Sequence, residues 1–289
     1  MAICTILVPL SGGAATDGAI ETACRLAQRF GAHLEALHVG ADPRDSLPLL
    51  GPDISASVST ELIAMAMRES EARLAKAKAS FDAAIRRHAL PLATKPPGMG
   101  QLAGSPSAEW RSEIGNAAEL IPWRARFNDL VVLGQSGRVV DEPSTEIPEE
   151  TILHGGRPVL LAPVRPVAPI GEIVAIAWND SAEAARAVAA SLPFLRPARE
   201  VHILTAGDGE ERFHLSAYLA WHGVVGTGRR LRSLTGIGTG EALLAAARGC
   251  GADLLVMGGY GRAPWREMIF GGATRQIIGA SRLPILLCH

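Results

Sequence analysis

The sequence lacks an excess of charge of either sign. It carries 28 lysines and arginines against 29 aspartates and glutamates, for a net charge of −1. Proteins that bind nucleic acid or anionic membranes through their electrostatic field carry a strongly basic patch. The charge balance therefore predicts no nucleic-acid partner and no membrane partner. Its 48% hydrophobic and 20% charged residues are typical of a folded globular protein.

Long hydrophobic runs are also missing. The N-terminal segment "MAICTILVPLSGG" has no basic start, and its apolar run is shorter than a signal-peptide core or a membrane span. We therefore expect a cytoplasmic protein.

Cysteine is scarce, and its spacing excludes two classes of site. The four cysteines lie far apart and form no C-x-x-C pair, so neither a zinc site nor a disulfide framework is indicated. The eight histidines form no H-E-x-x-H pattern, and we predict no metal site. Three of the cysteines lie in apolar runs or helical patterns, where we expect them to be small buried hydrophobic residues.

The chain contains an internal repeat. "DLVVLGQSGR" at 129–138 resembles "DLLVMGGYGR" at 253–262, and "RPVLLAPV" at 157–164 resembles "LPILLCH" at 283–289. The segments "TILVPLSGG" and "EIVAIAWND" also correspond, and an alanine-rich helical pattern follows each of them. A repeat of this length predicts two tandem domains with the same fold.

The predicted strands are apolar runs with no polar alternation. Such runs indicate strands buried on both faces, as in a parallel sheet between two layers of helices. In the second half the predicted strands are 172–178, 200–205, about 229–234, 253–258 and 284–288. The predicted helices of that half lie near 181–195, 211–222, 239–249 and 268–280.

A proline-rich segment marks the boundary between the two halves. "APVRPVAPIG" at 162–171 has three prolines and predicts a short stiff linker. We therefore predict a first domain at 1–165 and a second at 170–289. The first half also has extra length between 41 and 120, including a long helical pattern. We expect this helix to pack on its own sheet, in preference to contacting a partner.

A glycine pattern follows the fourth predicted strand of the second half. It reads Gly258, Gly259, Tyr260, Gly261, nine residues from Arg262 to Phe270, then Gly271 and Gly272. With the preceding "DLLVM" and the following "LPILL", it resembles the C-terminal signature of the universal stress protein family. Nearly the whole chain resembles the tandem form of that family. The resemblance implies two doubly wound α/β domains, each a five-stranded parallel sheet of order 3-2-1-4-5, similar to the adenine nucleotide alpha hydrolases.

The resemblance also implies a nucleotide site in the second domain, holding ATP or a related adenine nucleotide with Mg²⁺. Ligands of such folds settle at the carboxyl ends of strands 1 and 4, where the strand order reverses. Glycines would let the backbone approach a phosphate, and the following helix start would offer free N–H groups. Carried over by position, the strand-1 contacts are Ala177, Trp178 and Asn179. The loop contacts are Met257, Gly258, Tyr260, Gly261, Gly271, Gly272, Ala273 and Thr274.

Several positions depart from the family pattern. Asn179 stands where the family has an aspartate that meets adenine, and Gly272 replaces a serine or threonine. Trp178 would either stack on a base or fill the pocket. In the first half the aspartate position is Ser11, and Ile147 with Pro148 replace the glycine pair, which predicts a degenerate site there.

No catalytic set is evident. Neither glycine loop is followed by a Walker lysine, and no G-x-S-x-G pattern is present, so we expect at most slow ATP hydrolysis. Two hypotheses stay open. One is a stress-response protein whose second domain binds an adenine nucleotide. The other is a nucleotide-independent interaction protein with vestigial sites. In the second hypothesis the two domains pack together as an internal pseudo-dimer. The resemblance implies that "PVLLAPV" and "PILLCH" pair edge to edge, because the family commonly dimerises through its last strands, and a further homodimer is left open.

Overall fold

The computed structural model describes most of the chain. The described residues are 2–41, 56–96, 104–135, 146–165, 169–205, 210–231, 239–260 and 281–289.

The first half contains five strands and four helices in these ranges. They are β1 (Thr5–Pro9), α1 (Thr16–Phe30), β2 (His33–Gly40), α2 (Ala56–His88), β3 (Ser107–Ile114), α3 (Ala117–Ala125), β4 (Leu130–Gly134), α4 (Glu146–His154) and β5 (Val159–Ala162).

The second half repeats this alternation. Its elements are β6 (Ile173–Ala177), α5 (Ala182–Leu195), β7 (Glu200–Thr205), α6 (Glu210–Trp221), β8 (Gly226–Arg230), α7 (Thr239–Gly249), β9 (Leu254–Gly258) and β10 (Ile285–Cys288). The helix predicted at 268–280 lies outside the described residues. The domain limits 1–165 and 170–289 stay predictions; β5 ends at Ala162 and β6 begins at Ile173.

All ten strands join one sheet, in the order β3-β2-β1-β4-β5-β10-β9-β6-β7-β8. Within each half the strands are parallel and follow the predicted order 3-2-1-4-5. The doubly wound α/β fold predicted for each half is therefore confirmed.

The two halves meet at β5 and β10, which pair in antiparallel register. Leu160 lies opposite Leu286, and both side chains are fully buried. Nearby, the Gln135 side chain donates from Nε2 to the carbonyl of Leu283, across the boundary between the halves, at 3.3 Å. The predicted pairing of the two last strands is thus present within one chain, and neither strand is left as an open edge.

The core forms two layers because successive strand residues face opposite sides of the sheet. In β1, Ile6 and Val8 belong to the layer beneath α1, α2, α5 and α6, whereas Leu7 belongs to the layer beneath α3, α4 and α7. Phe81 of α2 and Phe194 of α5 are buried in the first of these layers. The apolar runs in the sequence correspond to strands covered on both faces.

Two predictions made from the sequence needed revision or refinement. The strand expected at about 229–234 is β8, Gly226–Arg230, because this edge strand is largely exposed and has no apolar run to mark it. The long helix α2 packs on its own sheet only through its later turns, where Ala77, Phe81 and Ala84 are buried. Its earlier turns extend over the carboxyl ends of the first-half strands. Across the described residues, no helix is both long and apolar enough to cross a membrane.

Candidate functional site

The carboxyl ends of β6 and β9 lie side by side at the point where the strand order of the second half reverses. Ala177, at the end of β6, is the register partner of Met257 in β9. Trp178 and Asn179 follow directly, and Gly258 ends β9. The structure therefore brings the predicted strand-1 contacts next to the start of the predicted loop. The remaining predicted contacts, Gly261, Gly271, Gly272, Ala273 and Thr274, lie outside the described residues.

Asn179 is part of a tight turn that starts α5. Its Oδ1 accepts hydrogen bonds from the Ser181 backbone N–H at 3.3 Å and from the Ser181 hydroxyl at 2.8 Å. The same hydroxyl oxygen accepts from the Ala184 N–H at 3.1 Å and caps the helix. Asp180 between them has a left-handed φ of 58°. The amide oxygen is thus already engaged, and the Nδ2 group is the part of Asn179 that could meet a base.

Trp178 is partly buried and packs against the core layer beneath α5. Its backbone N–H donates to the Leu204 carbonyl at 2.9 Å, which extends the parallel ladder beyond β6. The indole Nε1 is buried and has no hydrogen-bond partner in the described part of the chain. The ring therefore contacts core side chains, and its part in a nucleotide site stays a prediction.

Gly258 has a role that sequence reasoning missed. A Cβ added there would lie 2.6 Å from the Ala184 nitrogen and 2.8 Å from the Glu183 Cβ. The glycine therefore allows the first turn of α5 to approach β9 closely. This close packing is a sufficient reason for a glycine at position 258, independent of any ligand. Two residues later, Tyr260 has a left-handed φ of 57°. A bulky residue in this conformation is strained, and such strain concentrates at ligand sites and switches.

The first half repeats the turn geometry at its own switch point. The Ser11 hydroxyl oxygen accepts from the Gly13 N–H at 3.1 Å, and Gly12 between them has a φ of 77°. Gly134 ends β4, and a Cβ added there would lie 2.5 Å from the Ala15 carbonyl oxygen at the start of α1. Ser11, Gly12 and Gly134 thus match Asn179, Asp180 and Gly258 in the second half.

A cavity of about 590 Å³ opens at this first-half switch point. Its floor is formed by the ends of β1, β2 and β4, and one wall is the early part of α2, including Ala66 and Ser70. We predicted a degenerate nucleotide site here, and we did not predict this cavity. The signal that could have found it is the pair of small residues Ala66 and Ser70, spaced to lie on one face of a helix.

A cysteine lies beside the second-half switch point. Cys288 is the register partner of Gly258, but burial raises the pKa of its thiol to about 12, so the thiol stays protonated at neutral pH. A protonated thiol is neither a nucleophile nor a metal ligand. Among the described residues, no group of three or more histidine, cysteine, aspartate or glutamate side chains could hold a metal ion.

Comparisons with known proteins bear on the fold. No protein-family model and no curated protein matches the sequence. A solved structure of a universal stress protein from Archaeoglobus fulgidus superposes with a TM-score of 0.66 at 16% identity, over 98% of this chain and 97% of that one. A protein of unknown function from Pseudomonas aeruginosa PAO1 matches with a TM-score of 0.55 at 14% identity, over 99% of this chain and 92% of that one. Together with the strand order and the paired last strands, these likenesses show that the chain has the universal stress protein fold, in a tandem arrangement of two halves.

Proposed function

We propose that this chain is a tandem universal stress protein whose second half binds ATP or a related adenine nucleotide and signals through its occupancy. The observation that carries the proposal is the switch point itself. Ala177 and Met257 lie in register at adjacent strand ends, and the glycine pattern begins immediately after them. Parallel α/β sheets bind their ligands at this position. Such a sensor would act in the cytoplasm, where adenine nucleotides are abundant.

The structure favours a changed contact to the base. Because the Oδ1 of Asn179 is engaged by Ser181, the residue would donate from Nδ2 to an acceptor nitrogen of adenine. The Trp178 ring would pack against the core and form the bottom of the site, and it would not stack on the base. The phosphates, with Mg²⁺, would lie against the glycine loop from Gly258 onward, which needs no basic side chain if backbone N–H groups and a helix start face them.

Binding without efficient turnover is the proposed activity. Neither glycine loop is followed by a lysine that could reach the terminal phosphates. The thiol nearest to the site, that of Cys288, has a raised pKa of about 12. Hydrolysis, where it occurs, would be slow.

A second candidate function is a nucleotide-independent interaction protein. Two observations favour it: the acceptor oxygen of Asn179 is used by the chain itself, and Trp178 packs against the core. In this case the two halves would serve as one rigid platform, joined through β5 and β10.

A thermal-shift titration with Mg-ATP, Mg-ADP and AMP separates the two candidates. Binding to the native state alone raises stability by about 2.7 kcal/mol at a ligand concentration of a hundred times Kd. We expect a saturable rise in Tm that Gly261→Val abolishes. The matched control is Gly137→Val, at the corresponding position of the first-half pattern, which should leave the shift unchanged. No shift at millimolar concentrations of any of the three nucleotides would favour the interaction protein.

A further inference from the structure

We propose that the first half holds a second and chemically different ligand site. The site is the cavity of about 590 Å³ at the ends of β1, β2 and β4, and its ligand is an uncharged small organic molecule with a largely apolar body. Pockets of this size enclose ligands of a few hundred daltons. This inference does not depend on nucleotide binding by the second half.

Helix α2 forms a fixed wall of the cavity. A Cβ added to Gly12 would lie 2.3 Å from the carbonyl oxygen of Arg73, so the backbone of α2 rests directly on the turn after β1. Ala66 and Ser70 line the cavity from the same helix. Because their side chains are small, the space between α2 and the strand ends stays open. The second half has a helix of only 12 residues, α6, at the corresponding place in the chain.

Another wall of the cavity, formed by the start of α4, is apolar at the position where a phosphate site would need free N–H groups. Ile147 and Pro148 lie in the first turn of α4 and line the cavity. They occupy the positions that hold Gly271 and Gly272 in the second-half pattern. Proline has no N–H, and the isoleucine side chain adds bulk that a glycine lacks. This turn therefore offers a phosphate one N–H fewer than a glycine pair would.

The charges at the cavity cancel. Arg73 is the single lysine or arginine among the described lining residues, and its guanidinium donates to the Glu69 carboxylate at 2.7 Å. Both side chains are at the exposed rim, on α2. Apolar side chains, including Leu10, Leu133 and Ile147, line much of the rest. The described lining offers a triphosphate no net positive charge, whereas an uncharged molecule would lose little hydration on entering.

One buried polar group supplies a hydrogen bond that would orient such a ligand. His38 lines the cavity and is 3% exposed, and its Nδ1 donates to the Leu10 carbonyl at 2.8 Å. In the neutral ring the Nε2 atom is then an acceptor. A ligand with an N–H or hydroxyl group fits this residue. Thr16 also lines the cavity, but its Oγ1 is occluded from it.

The test uses N-phenyl-1-naphthylamine, an uncharged probe with one N–H whose fluorescence rises in apolar surroundings. We expect saturable binding of one probe per chain. Ala66→Phe fills the cavity from α2 and should weaken binding at least tenfold. The matched control is Met67→Phe, next to it on α2 but 50% exposed and outside the lining, and it should bind as the wild type does. Circular dichroism checks that each variant is folded.

Three results would overturn the proposal. They are the absence of saturable probe binding, equal affinity in wild type and Ala66→Phe, and displacement of the probe by Mg-ATP in the Gly261→Val variant. The last result would mean that the first half takes nucleotide. This proposal and the proposed function can fail separately. The ATP titration compares the wild type with Gly261→Val in the second half, whereas the probe titration compares the wild type with Ala66→Phe in the first half.

Discussion

The two halves share a scaffold and differ at the edge where ligands bind. In each half an aspartate just before the fourth strand accepts backbone N–H groups at the start of the first strand: Asp129 from Cys4 and Thr5, and Asp253 from Gly171, Glu172 and Ile173. The turn after the first strand also has the same geometry in both halves. The differences are α2, with 33 residues against 12 in α6, and the sequence after each glycine pattern, which has Ile147 and Pro148 in the first half and Gly271 and Gly272 in the second. The comparison teaches that the same core can carry different residues at its strand ends.

The largest expected effect concerns the antiparallel pairing of β5 with β10, which joins the two halves. Leu286→Asp would place an unpaired carboxylate opposite Leu160, at a position that is 0% exposed. An uncompensated buried charge costs about 3 to 5 kcal/mol. Urea unfolding should show this loss of stability, whereas Val164→Asp, at a position 41% exposed, should stay within about 0.5 kcal/mol. A loss below about 1 kcal/mol for Leu286→Asp would show that the stability of the protein does not depend on the pairing of β5 with β10.

The next-largest expected effect tests whether Gly134, at the end of β4, and Gly258, at the end of β9, have the same structural role. Gly134→Ala and Gly258→Ala each place a Cβ within 2.6 Å of backbone atoms at the start of α1 or α5. Overpacking of this kind costs about 1 to 3 kcal/mol, and we expect similar losses of unfolding free energy in the two variants.

The control for these variants is Gly249→Ala, at the end of α7, where nothing lies within 4 Å of an added Cβ. Its stability should be unchanged or slightly raised, because alanine is the better helix former. A tolerated Gly258→Ala beside a destabilising Gly134→Ala would mean that the two halves pack their first helices differently.

The smallest expected effect is a change in ATP affinity that follows from a substitution in the second half and not from the corresponding one in the first. Asn179→Asp keeps one oxygen for the bond to Ser181 but replaces the Nδ2 donor with a second acceptor. Loss of the proposed hydrogen bond to an acceptor nitrogen of adenine, about 1 kcal/mol, corresponds to about fivefold weaker ATP binding, measured by calorimetry. Ser11→Asp, at the corresponding first-half position, should leave ATP affinity unchanged. Equal affinity of Asn179→Asp and wild type would argue against the base lying at Asn179.

Much of the fold was predictable because its signals are local. The apolar runs located β6, β7, β9 and β10 to within about two residues, whereas β8 was displaced because an exposed edge strand such as Gly226–Arg230 carries no such run. The meeting of Ala177 with Met257 was also predictable, since it follows from the strand order. The cavity of the first half was not predicted: Ala66 and Ser70 are its local signal, but its position depends on the contact of Gly12 with Arg73 across a long stretch of chain.

The sequence by itself determined that this protein has two related halves, each with parallel strands of which most are buried on both faces. Repeats, hydrophobic runs and prolines are read directly along the chain, and burial of apolar surface then favours this architecture. The tertiary structure alone decided what lies at the strand ends. It placed α2 over the first half, engaged the oxygen of Asn179 in a turn and left the hydroxyl of Thr16 buried beside a cavity. These outcomes depend on which polar groups and helix faces meet in space, and sequence spacing does not specify such meetings.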